Sequence, residues 1–101
     1  MGKVVWSKTA LDQLEKIVRY ILETRGDAYA KVVGTRIIKR AEQLEEFPEM
    51  GQREPLLQHK KSEYRYLIAW SYKIIYKRSK DRITISSIFH AAQNPDKLKG
   101  V

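Results

Sequence analysis

His90 is the side chain best suited to acid–base work in this sequence of 101 residues, because an imidazole titrates near neutrality and can give or take a proton. Tyr72 and Tyr76 lie in the run Tyr72-Lys73-Ile74-Ile75-Tyr76-Lys77. On an extended chain both phenols fall on one face while Lys73 and Lys77 fall on the other. Arg53, Arg65 and Arg78 add cations in the same half of the chain. Such a set could offset phosphate charge or meet the carboxylates of an acidic protein, but only His90 or a tyrosine could carry protons. Each also has a plainer role. A histidine can close a strand end through a backbone hydrogen bond, and tyrosines can flank a core with their hydroxyls at the surface. The second histidine, His59, sits in Gln58-His59-Lys60-Lys61, which reads as a surface loop.

The charge is one-sided. Twenty basic against twelve acidic residues give +8, and residues 53–101 hold eleven basic and four acidic groups, whereas residues 1–52 are nearly balanced at nine and eight. A field of that kind attracts a polyanion or an acidic protein partner. Other chemistries find no support. There is no glycine-rich phosphate cradle, no Gly-x-Ser-x-Gly and no His/Cys/Asp spacing for a metal, so no cofactor is implied. No apolar run approaches the roughly 18 residues of a membrane span. The absence of cysteine and of a charged-then-apolar leader leads us to expect a cytoplasmic protein.

The elements that must position these residues follow from periodicity. Lys3-Val4-Val5-Trp6 reads as a short strand. Ala10, Leu14, Ile17 and Ile21 then recur at helical spacing, with Ser7 or Thr9 as cap and Gly26 as stop. After Asp27, a candidate N-cap, a second stripe of Ala30, Val33, Ile37, Ala41 and Leu44 runs to Phe47-Pro48, where Phe47 is expected to anchor the helix end to the core. Tyr64–Ala69, Tyr72–Arg78 and Arg82–His90 are three β-prone runs with breaks of hairpin length, which predict an antiparallel meander. The third run assigns Ile83, Ile85, Ser87 and Phe89 to one face. An α+β fold follows, occupying residues 1–101 as one domain: a helical hairpin covers the apolar face of a C-terminal antiparallel sheet, and the face with Lys73 and Lys77 is open. The expected core is Trp6, Leu14, Ile17, Ile21, Val33, Ile37, Leu44, Phe47, Ile74 and Ile85.

This order of elements resembles the RelE/ParE toxins of type II toxin–antitoxin systems, among them plasmid-stabilising proteins. The residues that carry the resemblance are Phe47-Pro48-Glu49-Met50-Gly51 with Arg53 after it, Tyr64-Arg65-Tyr66-Leu67, Tyr72-Lys73-Ile74-Ile75-Tyr76, Ile83 to His90, and Asn94-Pro95. The resemblance implies one of two activities. RelE-like members cleave mRNA on the ribosome; ParE-like members bind DNA gyrase and trap its cleaved-DNA complex. RNA cleavage calls for a base, an acid and cations over the developing charge, for which this sequence offers His90, Tyr72 and Lys73. The middle strand, however, has Tyr72-Lys73 where RelE-like nucleases have Tyr-Arg, and Ala92 stands where many relatives carry arginine. The amphipathic first helix looks more like ParE, and the ParE-like reading is preferred. A basic nucleic-acid-binding module without toxin activity is a further alternative. As a ParE-like toxin the chain is expected to bind an acidic antitoxin in an assembly of toxin–antitoxin heterodimers. Arg53, Arg65, Lys73, Lys77 and Arg78 are then the expected contacts to antitoxin or target.

Overall fold

Ser7 begins the fold's first helix and ties it to the sheet. Its hydroxyl accepts from the Ala10 amide at 3.0 Å, as an N-cap does, and donates to the Ser86 carbonyl at 3.2 Å. The computed structural model describes residues 3–57 and 60–92. Strand β1 (Lys3–Trp6) leads into helix α1 (Lys8–Arg25), and only Gly26 separates α1 from α2 (Asp27–Glu42). That glycine takes φ of 95° and donates to the carbonyls of Ile21 and Leu22, both at 3.2 Å. A chain that reverses over one residue needs this left-handed backbone, which costs glycine little. Gly26, and not Asp27, therefore caps α2, and Asp27 falls in its first turn.

Beyond α2 come a 3₁₀ turn (Gln43–Glu45), strand β2 (Gln52–Arg53), a second 3₁₀ turn (Pro55–Leu57), and strands β3 (Glu63–Ala69), β4 (Tyr72–Ser79) and β5 (Arg82–His90). The sheet order is β1-β5-β4-β3-β2. The meander expected from the sequence is present as β3–β4–β5, and β1 joins it parallel to β5, with Val4 opposite Ile83 and Trp6 opposite Ile85.

Both helices lie on one face of this sheet. Ile21, Val33, Ile37 and Leu44 from the helical layer pack with Leu67, Ile74, Tyr76, Ile83, Ile85 and Ile88, all buried, while Trp6, Leu14 and Ile17 are half-buried at its margin. Phe47 is different. It is 58% exposed, because α2 ends at Glu42 and Phe47 lies in the turn beyond the 3₁₀ segment, where Leu44 and not Phe47 points to the core. Leu44 and Met50 provide the anchoring expected of Phe47.

The two faces also divide differently from strict alternation. Ile75 pairs with Ser87 but Tyr76 pairs with Ile85, so Ser86 is an extra residue on β5, a β-bulge. Side chains before and after it switch sides. Ile83, Ile85 and Ile88 face the helices, and Phe89 turns to the other face. Helix α1 satisfies the bulge: Gln13 Oε1 accepts from the Ile88 amide at 2.6 Å and from the Ser87 hydroxyl at 3.1 Å. The second face is not open as expected. Leu57, Ile75 and Phe89 are buried there in a small cluster with Tyr64 and Tyr66 against it, because the 3₁₀ turn folds over the sheet.

Candidate functional site

The candidate residues occupy three places that the strands keep apart. At the β2 end of β3 and β4, Tyr76 is fully buried, and its hydroxyl accepts from the Gly51 amide and donates to the Pro48 carbonyl, each at 3.0 Å. This hydroxyl does not reach the surface, contrary to the plain expectation for it. Burial pushes its pKa up, although the Gly51 amide opposes the shift. Around it Arg53, Arg65 and Arg78 come together. Arg65 donates to the Gly51 carbonyl at 2.7 Å and pairs with Glu63, Arg53 reaches Glu63 at 3.4 Å, and Arg78 pairs with Glu49 at 2.8 Å. The hydrogen bond from Arg65 holds the Glu63 carboxyl below its ordinary range and raises the guanidinium in turn. These are three cations against two carboxylates, so the group keeps an excess of positive charge.

On the outer face, Lys73 is engaged by the chain itself. Its Nζ lies 2.8 Å from Glu54 Oε2 and 4.2 Å from the centre of the Tyr66 ring. Glu54 is 1% exposed, the Lys73 side chain 20%. Among the described residues neither Glu54 oxygen has a further hydrogen-bond partner, so Lys73 is what compensates a buried carboxylate. Lys77 shares this face, opposite Tyr64 on β3 and Thr84 on β5.

Tyr72 and His90 form the third place. They are partners across β4 and β5, with rings 5.5 Å apart and nearly perpendicular. Both face the helix side, where they line a cleft of about 480 Å³ with Gln13, Lys16 and Tyr20. Burial raises the Tyr72 pKa. His90 Nδ1 accepts from the Ala92 amide at 3.2 Å, the strand-end role available to a terminal histidine. Adjacent strand residues point to opposite faces, so Lys73 lies across the sheet from Tyr72 and His90. The three residues that RNA cleavage would require do not converge. His59 and Asn94-Pro95 lie outside the described residues.

The sequence profile of the ParE toxin of type II toxin–antitoxin systems (parDE) matches residues 4–95. The chain belongs to the ParE toxin family. The fold agrees: a solved chain of the chromosomal ParDE TA system from P. aeruginosa superposes with a TM-score of 0.73 over 89% of this chain and 96% of that chain, at 18% identity. No curated protein matches significantly. The Phe47-Pro48-x-x-Gly51 turn of this chain is a structural device, since Tyr76 and Arg65 both fasten onto it.

Two features of this toxin escaped the sequence reading. Glu54 is one, and its signal was an acid set among Pro55, Leu56 and Leu57. The other is a ring-and-cation cluster at the β3–β4 turn, signalled by a tryptophan at a turn position that usually takes glycine or asparagine.

Proposed function

We propose that this ParE-family toxin stops DNA replication by binding DNA gyrase and stabilising its cleaved-DNA complex, without a reaction of its own. The observation that carries this reading is the placement of Lys73, bound to buried Glu54 on the face opposite Tyr72 and His90. A nuclease that used Lys73 as its cation would need that lysine beside Tyr72 and His90, and here it stands on the other face. A binding toxin needs only a complementary surface.

A cognate antitoxin would neutralise it. Leu11 and Leu22 on α1 and Val32 and Ile38 on α2 are large hydrophobics left roughly half exposed, and the arginine group around Glu63 stays net positive. An acidic segment that folds on the toxin would cover the former and meet Arg53, Arg65 and Arg78 with its carboxylates. Calorimetry at low salt against the cognate antitoxin checks that contact.

The test of the target is induction in living cells with DNA and protein synthesis labelled separately, followed by a purified gyrase cleavage assay and a ribosome-programmed mRNA assay. DNA synthesis stopping first, with gyrase–DNA complexes accumulating, is the expected result. Translation stopping first, with mRNA cut on the ribosome, would establish the nuclease reading instead. Arrest of neither process would favour a basic nucleic-acid-binding module.

A further inference from the structure

At the end of the sheet remote from Glu49 and Glu63, two adjoining rings are flanked by two cations. The Arg25 guanidinium lies over the Tyr29 ring at 5.4 Å, Tyr29 meets Trp70 edge to face at 5.6 Å, and the Arg36 guanidinium lies over Trp70 at 5.1 Å. Three elements supply them: the last turn of α1, the body of α2 and the β3–β4 turn. Trp70 holds φ of 58°, and among the described residues no other non-glycine has positive φ. A bulky side chain in that conformation costs local stability that glycine or asparagine would spare. The result is an indole held at the tip of the turn, 42% exposed, with Tyr20 nearby at 65%.

The clefts at the cluster are lined by cations, rings and neutral side chains. A cleft of about 360 Å³ runs beside the cluster, with Tyr20, Arg25, Tyr29, Trp70, Tyr72 and His90 in its walls. The larger cleft shares Tyr20, Tyr72 and His90 and adds Lys16. No carboxylate lines either one, and among the described residues neither Arg25 nor Arg36 has an ion-pair partner. Tryptophan, tyrosine and arginine together form the composition of protein-contact hot spots. The geometry also chooses between anionic partners. Stacked nucleic-acid bases need free ring faces, and here a guanidinium takes one face of Tyr29 and one of Trp70 while the two rings meet edge to face, which leaves little ring surface for stacking. A guanidinium placed over a ring still presents its N–H edges as a fork for carboxylates.

Resting on the gyrase reading above, we infer that the Arg25–Tyr29–Trp70–Arg36 cluster is the surface with which the toxin grips an acidic protein face of its target. It lies at the opposite end of the strands from the arginine group around Glu63. The cationic contacts to the target are thus assigned to one end of the strands and those to the antitoxin to the other.

The test compares wild type with Arg25→Glu/Arg36→Glu and with Trp70→Gly, at matched protein levels. Glycine suits the backbone at position 70, so that variant removes the indole without straining the turn. Purified gyrase should bind each variant at least about tenfold more weakly, as loss of a hot spot does, with melting temperature preserved and antitoxin affinity changed less than about threefold. Growth arrest should weaken in parallel. Unchanged gyrase binding and arrest would overturn the inference, as would an equal loss of antitoxin affinity. Wild-type binding to a single-stranded DNA oligonucleotide that both variants lose would make this a nucleic-acid site and overturn it too. Should the wild type arrest growth but bind no gyrase, the gyrase reading fails alone; the surface assignment then stands if the variants lose arrest and falls if they keep it. A wild type that arrests no growth overturns both.

Discussion

Gly51 lies so close to Tyr76 that a Cβ at position 51 would stand 2.5 Å from the phenol oxygen and 2.7 Å from the Tyr66 carbonyl. The turn after α2 thus closes on a side chain 25 positions further along the chain, and only glycine admits that approach.

Gly51→Ala should therefore cost about 1–3 kcal/mol through overpacking, because the obstructing atoms include backbone that cannot swing away. Tyr76→Phe should cost a similar amount for a different reason: it leaves the buried Gly51 amide without its partner, worth about 1–3 kcal/mol. Urea melts of both variants check this, and changes below about 0.5 kcal/mol at both sites would refute the close approach.

The core makes its own contrast. Ile37 and Ile74 are fully buried between α2 and the sheet, so truncating either to alanine should cost about 2–5 kcal/mol. Phe47→Ala should stay within about 0.5 kcal/mol, as exposed substitutions do. Equal losses at Phe47 and Ile37 would show that Phe47 anchors the helix end after all.

That contrast marks what the sequence could show. Local periodicity identified the helical hairpin and the β3–β4–β5 meander, since Ala10, Ile21, Val33, Ile37 and Ile74 each sit in a pattern a few residues long. Nonlocal pairing left no such trace. The parallel docking of β1 on β5 joins residues nearly eighty apart, and the bulge at Ser86 hides inside a run whose alternation reads well in either phase. Charge pairing was invisible for the same reason. Arg65, Arg78 and Lys73 read as free cations because Glu63, Glu49 and Glu54 become their partners only after the chain folds. Tyr72 and His90 were recognised as candidates, but that Lys73 stands on the other face from them depended on the register.

The Glu54–Lys73 pair should respond asymmetrically. Lys73→Met leaves a carboxylate buried at 1% exposure without its countercharge, which costs about 3–5 kcal/mol. Glu54→Gln should cost less, because the partly exposed lysine can still reach water. Combining Lys73→Met with Glu54→Leu should recover most of the loss, since an apolar pair of similar volume avoids the desolvation penalty. Additive losses in the double variant would show that the two side chains do not interact.

Stability should also depend on pH at both ends of the range. The folded state holds Glu63 below its ordinary 4.5, chiefly through the hydrogen bond from Arg65, so it binds fewer protons there than the unfolded chain. That contribution is present above the ordinary carboxylate range and is lost as pH falls through the lowered value. Tyr76 behaves oppositely: burial raises its pKa above 10.0, so stability is lost as pH rises past the ordinary phenol value and the unfolded chain ionises first. Glu63→Gln should flatten the acid limb and Tyr76→Phe the alkaline limb. Melts across pH that show both limbs unchanged would contradict these assignments.

The last expectation separates binding from catalysis at the residues themselves. His90 ends β5 with its Nδ1 taken by the Ala92 amide, and Tyr72 packs against its ring, so both look outward into the helix-side cleft while Lys73 is committed to Glu54 behind the sheet. If the toxin acts by holding gyrase, His90→Ala should give a folded protein that still halts DNA synthesis, with potency reduced only as far as the imidazole touches the target. Tyr72→Phe, which keeps the ring and removes the proton, should do less still. If instead RNA cleavage is the activity, either substitution removes a proton carrier and the rate should fall about 10²–10⁴-fold. A graded dose-response in cells, paired with the gyrase and ribosome assays on the same variants, distinguishes the two. Near-complete loss of toxicity in both variants, together with wild-type cleavage of ribosome-bound mRNA, would mean that these side chains work with a cation other than Lys73, either Lys16 or Arg25 in the same clefts or one brought by the ribosome.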